Sequence, residues 1–277
     1  EKEFMQPRER GTKTAVGEYA YIAAGFNGFS PTHFDRMKDQ RTIPILTRCL
    51  QAPDEVWPKD QGDVIRGKPG EPTGRDTARQ NIPIALARLW AISAVDALQQ
   101  ILRTHHDIYL CVNAVYTLGR LLKVTEINEL EKEIRAIQPE VDRRRFLFSL
   151  GQGLVERGEV ARGVALLSES QEKVATIYSL ASQLNILQNV RHASAEGFYR
   201  EALSGAQFKT IFLDIDSQPE HERSQAIVIY SRLLDGIRLN RFTSLAPLVR
   251  EIATGTKTPE IRTASERLLA DLKAGRS

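Results

Sequence analysis

The chain has 277 residues, 42% hydrophobic and 26% charged, which is enough for a sizeable core and excludes a disordered composition. A formal charge of +3 with a pI near 8.9 describes a mildly basic protein, compatible with nucleic acid or anionic surfaces without arguing for either. Two cysteines, Cys49 and Cys111, exclude a disulfide-built scaffold and a four-cysteine zinc site.

Both cysteines sit among apolar residues and read as buried free thiols, with a bridge between them as the alternative in an exported protein. No apolar run approaches the ~18 residues that span a bilayer. The longest, YAYIAAGF at 19–26, is flanked by Glu18 and Asn27. The first residue is Glu1 rather than Met, which fits a removed leader or expression start. Localisation therefore stays open between the cytoplasm and export behind a signal peptide.

Strand signals are scarce, and apolar residues recur at helical spacing. TAVGEYAYIAAGF and SPTHFDRMKDQ suggest short helices that cap the chain within 1–41, with Ser30–Pro31 as a helix start. TIPILTRCLQ (42–51) follows, then PDEVWPKDQGDVIRGKPGEPTGRD (53–76), with four prolines and four glycines. The helical pattern resumes as IPIALARLWAI (82–92), with Trp90 on its apolar side and expected in the core.

Helix pairs then read 94–104 with 107–123, 126–137 with 139–158, and 159–170 with 172–189. Second helices thus begin near 107, 139 and 172, a spacing of 32 to 33 residues. That period is typical of stacked helical hairpins, each unable to bury its apolar face alone, and predicts an elongated array. SAEGFYREALSGAQFKTIFLDI (194–215) is expected as one long helix before PEHERSQAIVIYSRLLDGIRL (219–239). The last pair is FTSLAPLVREIATG (242–255), stopped by Gly255, and TPEIRTASERLLADLKAG (258–275), with Thr258 as N-cap and Pro259 at the first helical position.

TIPILTRCLQAPDEV resembles the first helix and turn of a HEAT unit: a Pro within the first helix, leucines in register, then a Pro-Asp turn and a Val. Pro247 in SLAPLVREI takes the equivalent place in the last unit. LCVNAVYTLGRL (110–121) keeps the second-helix residues Leu110, Ala114, Leu118 and Gly119, with Cys111 where the family commonly has Arg, and IRTASERLL keeps Ile261 and Arg262. The resemblance covers about residues 42–275, although units at 126–189 lack the Pro and are equally similar to tetratricopeptide-like hairpins. It implies an all-α fold, an α-solenoid of about six HEAT-like hairpins over 42–277, with the 53–76 stretch as an insertion in the first repeat. It also implies a binding scaffold rather than an enzyme.

Motifs that carry chemistry fail one by one. GDVIRGKP (62–69) begins like a phosphate loop but puts Pro69 where a Ser or Thr must hold Mg²⁺. GQGLVERG (151–158) has Gly-x-Gly inside a helical pattern, where small residues serve close helix packing. HERSQ (221–225) puts Gln225 in place of a second zinc-binding His, and the five histidines are scattered. Cys111 reads as a mid-helix residue without a cationic neighbour to activate it. No catalytic residue, metal or cofactor is therefore assigned.

Two features remain for binding. Arg143, Arg144 and Arg145, then Arg223, Arg232, Arg238 and Arg241, concentrate on second helices, which line the concave face of HEAT arrays, although acidic neighbours offset much of this charge. The 53–76 stretch far exceeds the ~2–8 residues a helix–helix turn needs, and Trp57 is its candidate anchor. The expected partner is a protein or peptide. Nucleic acid is the alternative, through a loose similarity to HEAT-like alkylpurine DNA glycosylases, and a bilin-lyase-like HEAT enzyme stands behind it. Glycosylases need aromatic and acidic residues together in the cleft, whereas both tryptophans here, Trp57 and Trp90, lie near the N-terminal end.

Overall fold

A computed structural model describes residues 40–51, 74–104, 107–170 and 177–275, and all regular structure among them is helical. The chain divides into two compact units, Glu1–Gly153 and Leu154–Ser277.

In the first unit, α1 (Ile43–Gln51) follows a 3-10 turn at Gln40–Thr42 and tolerates Pro44 because the first helical turn has no internal acceptor for its N–H. Ile43, Leu46, Cys49 and Leu50 form its buried stripe. Helix α2 (Gly74–Arg88) starts inside the stretch expected as loop and ends earlier than the apolar pattern suggested. Pro83 lies in its interior, where a proline removes a ladder hydrogen bond and crowds the preceding turn. There Asn113 Nδ2 donates to the Gln80 carbonyl at 2.8 Å.

α2 stops because Trp90 adopts φ +54: Trp90 N–H donates to the Ala87 carbonyl and Ala91 N–H to that of Leu86, closing a Schellman turn. A 3-10 turn at Ile92–Ala94 leads into α3 (Val95–Thr104). Helix α4 (Ile108–Leu121) is capped by Asp107, whose carboxylate accepts from Tyr109 and Leu110 N–H at 2.9 and 3.3 Å. Its buried residues lie on most of its circumference, because α2 and α3 both pack on it. The helices pair as hairpins, α1 with α2 and α3 with α4, and also by alternation, α1 with α3 and α2 with α4.

Helix α5 (Val124–Arg135) begins with Glu126 accepting the Lys123 N–H at 2.8 Å. Helix α6 (Glu140–Arg157) crosses α4 so closely that a Cβ on Gly153 would lie 2.3 Å from the Tyr116 carbonyl oxygen and 3.2 Å from Gly119 Cα. Gly153 of the Gly-x-Gly at 151–153 is thus a packing residue, as its helical context indicated.

The second unit contains α7 (Val160–Glu169), α8 (Ile177–Leu187), α9 (Glu196–Ser204), α10 (Ala206–Leu213), α11 (Glu220–Asn240), α12 (Ala246–Gly255) and α13 (Pro259–Lys273). The single helix expected over 194–215 is in fact two. Gly205, at ψ 124, leaves the helical region, and a Cβ there would meet the Glu201 carbonyl at 2.8 Å, so the chain bends at this residue.

Alternation recurs here. α9 packs on α12, α8 on α11, and α11 on α13, while α10 fits between α9, α11 and α12. The 3-10 turns Ala193–Ala195 and Thr243–Leu245 precede α9 and α12 as Ile92–Ala94 precedes α3, each ending in a fully buried residue: Ala195, Leu245 and Ala94. Tyr199, Phe212 and Tyr230 fill the core of this unit. Tyr199 Oη donates to the Leu187 carbonyl at 3.1 Å, and Tyr230 Oη shares a hydrogen bond with Ser265 Oγ at 2.8 Å. Thr258 occupies the N-cap of α13 as expected, but its side chain makes no capping bond.

Candidate functional site

In the first unit a cleft of about 370 Å³ opens between α3 and α5. Its origin is visible in α5, where residues 126, 129, 130, 133 and 134 share one helical face by their spacing. Leu130 and Ile134 are buried, whereas Glu126, Glu129 and Glu133 on the same face are exposed. Leu102 of α3, Val115 of α4, Ile137 and Phe146 of α6 complete an apolar floor, and Gln99 and Arg103 of α3 form the opposite rim.

Three carboxylates thus face one guanidinium across an apolar floor. Glu126 is engaged with the start of its own helix, while Glu129, Glu133 and Arg103 make no ion pair among the described residues. Such a cleft can bury apolar side chains and attract a cation along the α5 wall. Among the described residues, no three His, Cys, Asp or Glu side chains come together as a metal site.

The arginines singled out from the sequence are distributed over both units. In α6, Arg144 pairs with Glu140 and Arg145 with Asp142 at 3.4 Å, while the half-buried Arg143 side chain has no polar partner among the described residues. In α11, Arg223 pairs with Asp216 at 2.7 Å and Arg238 with Asp235 at 2.9 Å. Arg232 is half-buried, with Nε donating to Gln188 Oε1 at 2.6 Å and Nη2 to Asn185 Oδ1, so it clasps α11 to α8. Arg241 is exposed at the αL residue that closes α11, with φ +54. Trp57, with the rest of 52–73, lies outside the described residues, as do His33, His105 and His106.

Trp90 does not join the core. It is 52% exposed, and its ring lies 4.9 Å from the Arg120 guanidinium carbon. The left-handed turn rotates its side chain away from the stripe that helical spacing would give it. Cys111 lies in the first turn of α4 rather than mid-helix; both thiols are free and buried. Burial pushes each up to about 11, Asp107 adding to the rise at Cys111 and Arg48 opposing it at Cys49. These are packing residues, not nucleophiles.

The cleft was not singled out from the sequence, where the glutamates of EINELEKEIRAI look like an ordinary solvated face. Their 3–4 spacing beside Leu130 and Ile134 was the available signal. Comparison of the chain with protein-family models, with curated proteins and with solved structures gives no match in any of the three.

Proposed function

We propose that this protein is a non-enzymatic HEAT-like repeat scaffold of the α-solenoid type that binds a segment of another protein. The alternation of helix packing within each unit carries this reading: hairpins that stack first helix on first and second on second present long inter-helix surfaces to a ligand. The recurring 3-10 turn with its buried final residue ahead of α3, α9 and α12 supports a common repeat.

Binding on the second-helix face is supported less well by the arginines. Arg144, Arg145, Arg223 and Arg238 already have carboxylate partners, which also weighs against a duplex-binding surface. The cleft between α3 and α5 has exposed charge that is not paired in this way.

Selection of a random peptide library on the purified chain tests the proposal. The expected result is a family of related peptides that compete for one site. Absence of any selected binder, together with steeply salt-dependent binding to duplex DNA, would replace this reading with the nucleic-acid one.

A further inference from the structure

We infer that the α3–α5 cleft receives the apolar face of a basic amphipathic helix; the inference rests on the scaffold reading and names the partner's chemistry. The floor includes Leu102, Leu130 and Ile134, and a volume of about 370 Å³ exceeds twice that of a cavity known to hold one benzene ring, so about two large side chains can anchor there. A helix laid along a groove presents its anchors at i, i+3 or i+4, and i+7.

Charge selects the sign of the partner. Glu126 and Glu133 are seven residues apart along α5, about 10 Å at 1.5 Å per residue, with Glu129 between them. Lysines or arginines spaced at 3 and 4 on a docked helix repeat at the same interval. The chain as a whole carries a formal charge of +3, so attraction of a cationic segment must come from these local carboxylates. Arg103 on the opposite rim repels a cation there and so fixes which flank of the ligand is basic.

Fluorescence anisotropy on the full chain provides the test. One labelled peptide of about 18 residues, five helical turns, carries a leucine stripe flanked by lysines, and its twin carries the same stripe flanked by glutamates. The lysine peptide is expected to bind and the glutamate twin to bind at least tenfold more weakly. Glu129→Lys with Glu133→Lys should weaken the lysine peptide about tenfold and favour the twin, since exposed pairs contribute modestly and reversal adds repulsion. Both glutamates are exposed, so the thermal unfolding curve should be unchanged. Leu102→Trp, which fills the cleft from a half-buried position on its floor, should abolish binding without altering charge.

Equal binding of the two peptides, no binding of either, or lysine-peptide binding indifferent to the glutamate reversal would overturn the inference. If library selection still yields competing binders in that case, the scaffold reading survives and only the cleft is wrong. If selection yields none, both fail.

Discussion

Gly236→Ala adds one methyl group about one turn before the end of α11. Helix propensity alone predicts a gain of about 1 kcal/mol. The packing predicts the opposite. A Cβ at this position would lie 2.1 Å from Tyr199 Oη and 2.5 and 2.6 Å from two ring carbons. Tyr199 cannot yield freely: it is fully buried, packs against Phe198 and Phe242 with ring centroids 5.2 and 5.8 Å away, and hydrogen-bonds Leu187. Overpacking costs about 1–3 kcal/mol, and displacing the hydroxyl from its carbonyl adds about 1 kcal/mol. After the propensity gain the net loss is about 1–3 kcal/mol. Urea unfolding followed by circular dichroism should show the midpoint fall by about 1 M, for a slope of about 1–3 kcal/mol/M. In a Tyr199→Leu background the ring is gone, and the same Gly236→Ala change should become neutral or stabilising by up to about 1 kcal/mol. A neutral or stabilising effect with Tyr199 present, or an equal cost in both backgrounds, would refute the packing argument.

Gly153→Ala should destabilise the first unit by about 2–3 kcal/mol, because its methyl would lie 2.3 Å from a backbone carbonyl oxygen, whereas Gly119→Ala should cost less since its nearest atoms, Leu150 Cδ1 and the Leu150 carbonyl oxygen, are 3.1 Å away; comparative thermal unfolding checks the order. Arg241→Gly should raise stability by up to about 1 kcal/mol by relieving the left-handed backbone at an exposed position, and a loss would show that the Arg241 side chain stabilises the fold. Stability should fall in alkali. Burial raises Cys49 and Cys111 from 9.0 to about 11, and raises Tyr230 from 10.0 to about 12 against the opposing Ser265 bond, so the folded state holds protons that the unfolded chain releases. This contribution is complete below about pH 9 and is lost as pH rises through the folded values near 11 and 12. Tyr230→Phe should flatten the upper part of that loss, and an unchanged profile would contradict the assignment.

The helices were legible because helix formation is largely a local matter. Apolar spacing and capping residues placed the starts of α4 and α6 within a residue or so of Ile108 and Glu140, and Gly255 at the end of α12. Gly153 was legible as a packing residue for the same reason, since a glycine inside a strong helical pattern calls for a close neighbour. Local pattern misled where the chain departs from the helix. Trp90 fits the apolar stripe only while the helix continues, and the turn that exposes it depends on backbone bonds to Leu86 and Ala87. Gly205 interrupts what reads as one amphipathic run.

The sequence by itself determined the helical character found throughout the described residues, because periodicity and caps act over a few turns of backbone, whereas it left the two thiols open between free and bridged. Only the tertiary structure decided which charged residues remain unpaired and which faces stay open. Arg232 became a clasp because α8 lies beside α11, and the glutamates of α5 became a rim because α3 lies across from them. Whether neighbouring helices close on a side chain or leave it facing a cleft is a property of their packing, which no single stretch of residues encodes.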